Sequence, residues 1–197
     1  TQVTGRLRKH LKVPVITSNR INMPAVAEAV LARGDADLVS MARPMLADPD
    51  LVNKAAEGRE DEINTCIACN QACLDHTFGG NQPVSCLVNP RACNETRLRY
   101  LPAASPKRIA VVGAGPAGLA YASVAAQRGH RVTLFEATGQ IGGQFNLAKR
   151  IPGKEEFDET LRYFRGMIGL RGIQLELNTR VDAAMIAAGH YDEVVVA

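Results

Sequence analysis

Apolar runs and helical repeats alternate in two separate stretches of this chain. In the first, residues 13–17 (VPVIT) predict a buried strand. Pro24 opens a helix with Val26 and Val30, and Ala27 and Leu31, at i, i+4 spacing, and Gly34 ends it. Residues 37–41 (DLVSM) predict a second strand. Asp48 is placed to cap a further helix, with Pro49 in its first position, Leu51, Val52, Ala55 and Ala56 on its apolar face, and Gly58 at its end. This β-α-β-α pattern is the repeat of a parallel sheet with helices outside. In the second stretch, 108–112 predicts a strand that runs into Gly113-Ala114-Gly115-Pro116-Ala117-Gly118. A helix to Gly129 and a strand over 131–136 follow. Phe157, Leu161, Phe164 and Ile168 mark another helix, and 173–177 and 193–196 read as strands. Between the two stretches the period breaks. Residues 61–104 carry little amphipathic pattern, hold every cysteine, and end in a Pro- and Ser-containing linker. The domains expected are therefore 1–60, 61–104 and 105–197.

Composition narrows the function classes. With Lys+Arg 23 against Asp+Glu 20, the net charge of +3 is too even for a dedicated nucleic-acid or anionic-membrane surface. The 46% of apolar residues suffices for a core. No apolar run reaches the roughly 20 residues of a membrane span, and no apolar segment follows the basic start to make a signal peptide.

The glycine turn is the first candidate site. G-x-G-x-x-G alone is a weak signal, but here it follows a strand, opens a helix, and has Glu136 at the end of the next strand. Gly113 permits the tight turn. Gly115 lets the backbone approach a pyrophosphate, and Gly118 lets helix and strand pack closely. The helix N-terminus offers free N–H groups to phosphate. Glu136 can accept from a ribose, and its charge disfavours a 2′-phosphate, so FAD or NAD is expected here over NADP. The rival reading is an ordinary tight turn. A second glycine turn at 141–144 (IGGQ) lies in position to reach the same cofactor.

The second candidate is the cysteine cluster, Cys66-x2-Cys69-x3-Cys73-x12-Cys86, with Cys93 further on. An odd, tightly spaced set argues for ligands in a reducing compartment. Four thiolates suit a tetrahedral zinc or a [4Fe–4S] cluster. Zinc knuckles usually come as two C-x2-C pairs, and the second pair is missing, so spacing favours the cluster. Cys93 is the rival to Cys86, or a free thiol. In the first stretch, Arg20 follows the first strand and Arg43 the second, at the strand ends where α/β folds place phosphate sites. The alternative is that both arginines merely cap surface loops.

Six segments together resemble one family: SNRIN (18–22), GDADLVSMARPMLADPDL (34–51), EINTCIACNQACLD (62–75), CLVNPRACNET (86–96), VVGAGPAGLA (111–120) and IGGQFNLAKRIPGKEEF (141–157). They are similar to the NADPH-dependent 2,4-dienoyl-CoA reductases, old yellow enzyme-like iron–sulfur flavoproteins related to trimethylamine dehydrogenase. The resemblance covers essentially the whole chain. It implies an α/β architecture: the last two units of an FMN-binding (β/α)8 TIM barrel, a [4Fe–4S] loop, and the start of a Rossmann-like FAD/NAD(P) domain. It implies FMN contacts at Arg20, Ala42 and Arg43, and cluster ligands at Cys66, Cys69, Cys73 and Cys86. It implies FAD contacts at Ala117, Glu136 and Gln144, with Lys154 and Val181 as further candidates. The span from Cys73 to Cys86 is one residue longer than the family pattern, with 79–82 as the expected insertion.

The resemblance further implies electron flow from NADPH through FAD, the cluster and FMN to a 2,4-dienoyl-CoA substrate, in a cytoplasmic enzyme of unsaturated fatty-acid oxidation. The oligomeric state stays open. The family's proton donors, a Tyr and a His of the barrel, would precede residue 1, and most of the nicotinamide site would follow Ala197. No residue of this chain is thus expected to be catalytic, and His10, His76, His130 and His190 are expected to be ordinary surface or loop residues. The chain is expected to be the middle of a larger enzyme. Two rivals remain at this point: an amine dehydrogenase or other enoate reductase of the same architecture, and a non-catalytic zinc or electron-transfer module.

Overall fold

The computed structural model describes residues 1–80 and 82–197. The chain divides into two compact units, Thr1–Arg97 and Leu98–Ala197.

The first unit begins with a helix that the sequence pattern did not predict, α1 (Gln2–Arg8). β1 (Ile16–Thr17), α2 (Pro24–Ala32) and β2 (Leu38–Val39) follow. β1 and β2 are parallel, with Ile16 opposite Leu38 and Thr17 opposite Val39. Both strands are shorter than expected, and they are not buried on both faces. Thr17 is 3% exposed, whereas the paired Ile16 and Leu38 are 61% and 53% exposed. Partners in register share a face, so a two-stranded sheet with one face covered leaves this pair outside. α2 starts at Pro24 as expected, but it buries Ala27 and Val30 and leaves Val26 outside.

α3 (Arg43–Ala47), only five residues long, is too short for a 3.6-residue period to announce it. α4 (Leu51–Ala56) starts later than Asp48 and Pro49 suggested. Asp48 has a different task. Its buried carboxylate accepts from the Asp50 N–H at 3.1 Å, the Asn64 N–H at 2.8 Å and Lys54 Nζ at 2.6 Å. Lys54 Nζ also donates to the Glu62 carbonyl at 3.0 Å. This ion pair fastens α4 to the start of the cysteine segment.

The cysteine segment is part of this unit. Ile63, Thr65, Ile67 and Ala92 are almost fully buried, and α5 (Leu74–Gly79) is its one α-helix among the described residues. Gly79 therefore ends a helix. Asn81, the middle of the expected insertion, lies outside the described residues.

In the second unit, β3 (Arg108–Val112), β4 (Arg131–Phe135), β5 (Gln174–Glu176) and β6 (Glu193–Val196) form a parallel sheet in the order β5-β4-β3-β6. Within it β5-β4-β3 has the order of one half of a Rossmann sheet, and β6 takes the place of the strand that begins the other half. Between β3 and β4 runs α6 (Pro116–Gln127), and α7 (Phe145–Ala148) and α8 (Asp158–Leu170) lie between β4 and β5. The short α7 was not predicted. Neither was α9 (Ala183–Gly189), whose N–H at Met185 donates to the Asp182 carboxylate at 2.8 Å. The core joins Ile109 and Val111 of β3, Leu119 and Ala122 of α6, and Val132 and Leu134 of β4. Burying such side chains contributes roughly 1.5–3 kcal/mol each. The core reaches into the glycine turn at Ala114.

Candidate functional site

The glycine turn is built from backbone. Gly113 adopts φ +109, and a Cβ there would stand 2.2 Å from the Ala197 carbonyl oxygen. At Gly118 a Cβ would stand 1.9 Å from the Gly113 oxygen, so α6 can sit on β3 only with glycine at this point. A Cβ at Gly115 would meet nothing within 4 Å. Gly115 therefore faces open space, the room a pyrophosphate needs beside the backbone at the start of α6. The second glycine turn packs against the first. The Gly142 N–H donates to the Ala114 carbonyl at 2.7 Å, and a Cβ at Gly143 would lie 3.3 Å from the Gly115 Cα. Gln144, exposed, starts α7, and Ala117, exposed, lies in the first turn of α6.

Glu136 is 9% exposed and folds back over the turn. Its carboxylate accepts from the Ala114 N–H at 3.0 Å, the Thr138 N–H at 2.8 Å and the Thr138 hydroxyl at 2.8 Å. Burial pushes its pKa up. The N–H groups of Thr138, Ala114 and Ala137 and the Thr138 hydroxyl outweigh burial and hold it below the ordinary carboxylate range. Both carboxylate oxygens are thus engaged, one by the Ala114 N–H and the other by Thr138. The sequence pattern did not show this bracing of the turn. Val181, half-buried, follows Thr179, whose N–H donates to the Glu136 carbonyl at 2.8 Å. Lys154 stands apart, with Nζ 4.9 Å from the centroid of the Phe157 ring, which stacks on Phe145.

The cysteine site is built from side chains that join remote segments. Cys66, Cys69, Cys73 and Cys86 line one pocket, together with Arg43 and Asn70. The Asn22 amide donates to the Cys66 carbonyl at 2.9 Å, Asn64 to the Val88 carbonyl at 2.8 Å, and Asn89 to the Leu46 carbonyl at 2.8 Å. These three amides strap the first cysteine loop to the segment ahead of α2, the two cysteine loops to each other, and the second loop to α3. Ala68 (φ 52) and Asn70 (φ 64) take left-handed conformations, which turn the loop sharply between the first three cysteines.

Burial pushes the thiols of Cys66 and Cys86 up. The Ala68 N–H and the charge of Arg43 act against burial at Cys66, and the Val88 and Asn89 N–H groups do so at Cys86. N–H groups aimed at sulfur are the contacts that stabilise thiolate ligands and tune a cluster. Among the described residues no three His, Cys, Asp or Glu side chains converge on a point as one metal ion requires. A single zinc draws its sulfurs to about 2.3 Å from one centre, whereas a cubane holds its ligands farther apart. Four thiols lining one pocket are a donor set that either group could take. Cys93 is exposed, and its N–H donates to the Glu95 carboxylate at 3.0 Å.

Arg20 and Arg43 line different pockets. Arg20, exposed and at φ 53, borders a groove with Asn19, Ile21 and α2. Arg43 faces the cysteines, and its Nη1 donates to Asn70 Oδ1 at 2.5 Å. Ala42, exposed, sits just ahead of α3. No helix among the described residues is long and apolar enough to cross a membrane.

Comparison with known proteins gives a consistent picture. Residues 1–62 match the NADH:flavin oxidoreductase / NADH oxidase family, and residues 111–171 match an NAD(P)-binding Rossmann-like domain. The chain is 43% identical over 195 residues to a metal reductase of Desulforamulus reducens, covering 97% of this chain and 29% of that protein. A structure of 2-naphthoyl-CoA reductase in complex with 2-naphthoyl-CoA superposes with a TM-score of 0.94 at 41% identity, covering 100% of this chain and 30% of that one. 6-Hydroxypseudooxynicotine amine oxidase from Pseudomonas geniculata follows with a TM-score of 0.89 at 30% identity, covering 98% of this chain and 30% of that one. The chain thus spans about 30% of the length of the proteins it matches.

Proposed function

We propose that this chain is part of an old yellow enzyme-like flavoprotein oxidoreductase and carries the internal electron path of an NADPH-dependent 2,4-dienoyl-CoA reductase. The observation that carries the reading is the pocket of four thiols with backbone N–H groups aimed at two of the sulfurs. In this reading Cys66, Cys69, Cys73 and Cys86 hold a [4Fe–4S] cluster. The glycine turn, Ala117, Glu136, Gln144, Lys154 and Val181 hold FAD, and Arg20, Ala42 and Arg43 serve the FMN side. When bound, the two flavins exchange electrons in ones or twos and the cluster in ones, so together they join a hydride donor to a hydride acceptor.

The chain's own residues bind and position. Gly115 leaves space for pyrophosphate, and Gly113 and Gly118 hold the backbone there. Glu136 keeps its charge in the turn, which selects a ribose hydroxyl over a 2′-phosphate and assigns NADPH to another site. Asn22, Asn64 and Asn89 keep the cysteine loops together. No residue of this chain is assigned a proton transfer.

Likeness to a reductase that binds an aryl acyl-CoA supports the thioester substrate class. Likeness to an amine oxidase supports amine oxidation as the second reading. The test uses the whole protein under anaerobic conditions. NADPH should drive loss of the 2,4-dienoyl-CoA chromophore. Reduction of the bound flavin by an amine, with no dienoyl-CoA turnover, would replace the first reading with the second.

A further inference from the structure

Arg43, read above as serving the FMN side, also gives one N–H of its guanidinium to the cysteine loop. It lines the thiol pocket and donates to Asn70 Oδ1 at 2.5 Å. Asn70 lies between Cys69 and Cys73, in a left-handed conformation that Asn tolerates and that aims its side chain from the loop itself. Arg43 opens α3, and the last turn of that helix is strapped to the other cysteine loop through the Leu46 carbonyl and Asn89. A fixed positive charge is thus held at the pocket from two directions. Among the described residues no acidic side chain lines this pocket to neutralise it.

We propose that Arg43, oriented by Asn70, is a positioning residue that sets the reduction potential of the group held by Cys66, Cys69, Cys73 and Cys86. The inference rests on the cluster reading above. Four thiolates make a bound [4Fe–4S] group anionic in both oxidation states. Its reduction adds one electron and no proton, hence one further negative charge. A guanidinium beside the thiolates stabilises the reduced state more than the oxidised one and raises the potential. Arginine suits this task because it stays charged in a poorly solvated place and its planar fork can be held by an amide oxygen.

The experiment is a dye-mediated redox titration of the holoprotein, followed by the electron paramagnetic resonance signal of the reduced cluster. Iron and acid-labile sulfide are measured on each sample. In Arg43→Gln the ratio of reduced to oxidised cluster at fixed solution potential should fall about tenfold, a shift of about 59 mV toward negative values for a one-electron couple. Arg43→Lys, which keeps the charge, should recover most of that shift. Asn70→Asp places a carboxylate under the guanidinium and should lower the potential without removing the arginine. It also supplies the test should Arg43→Gln lose iron. Unchanged potentials in Arg43→Gln or Asn70→Asp with full iron content would overturn the inference and leave the cluster reading standing. Wild-type protein without iron and sulfide would overturn both.

Discussion

In the proposed reading the glycine turn and the thiol pocket each hold an electron carrier, and they are built by opposite means. The turn is a backbone site. Its shape comes from close approaches at Gly113 and Gly118, from the N–H of Gly113 on the Phe135 carbonyl at 2.8 Å, and from a parallel sheet behind it. The pocket is a side-chain site. Its two loops meet because Asn22, Asn64, Asn89 and Asp48 reach across 16 to 44 residues of chain to backbone or side-chain partners. A backbone site fails when any atom is added at the wrong glycine. A side-chain site fails when a strut is removed, and it fails strut by strut.

The largest expected effect tests the struts. Asp48→Ala leaves the half-buried Lys54 without its carboxylate and two N–H groups without an acceptor. It should cost about 3 kcal/mol of stability, since breaking one partner of a buried pair costs that order. Urea unfolding of the whole protein, with iron content read alongside, checks it. The iron should fall while FAD stays.

Gly118→Ala is the mirror experiment. A methyl 1.9 Å from the Gly113 oxygen forces α6 off β3. The expected cost is about 2–3 kcal/mol, the order for overpacking a tight contact. Here FAD should be lost and iron retained. Loss of both cofactors in both variants would erase the distinction between the two regions.

Asn89→Ala is smaller. It removes one strap to the Leu46 carbonyl and should cost about 1–2 kcal/mol, the order of an unpaired buried polar group. The readout is faster iron release to a chelator, at unchanged flavin content.

The smallest effect concerns pH. The carboxyl of Glu136 titrates below its ordinary value, so its contribution is complete above the ordinary carboxylate pKa of about 4.3 and is lost as pH falls through the lower folded value. FAD retention should therefore decline in acid. Glu136→Gln should flatten that decline and weaken FAD binding at neutral pH, with FMN spared. Equal loss of both flavins would indicate general unfolding.

Those contrasts also explain what could be read in the sequence. The glycine turn, the start of α2 at Pro24, and α8 with Leu161 and Phe164 are local patterns, and each appears where it was expected. Burial of residues 13–17 is not local. It depends on what covers the strand, and Ile16 and its register partner Leu38 share a face that is exposed in this chain. Helices of four to seven residues, such as α7 and α1, span too few turns to show a period. Asp48 reads as a helix cap because its residue type and the following proline say so. Its partners Lys54 and Asn64 are fixed only by the fold. Arg43 illustrates the same limit. Its position after a strand is legible, but its commitment to Asn70 is not. For Cys86 and Cys93, spacing left both open, and the structure lines the pocket with Cys86 and exposes Cys93.

The central claim is that four particular thiols, and no others, hold an iron–sulfur cluster. Iron and acid-labile sulfide per chain, measured on Cys86→Ala beside Cys93→Ala in the whole protein, test it most directly. The account predicts that Cys86→Ala purifies colourless and without the cluster, while Cys93→Ala keeps the wild-type content of both. Iron retained in Cys86→Ala and lost in Cys93→Ala, or zinc in place of iron in the wild type, would contradict it.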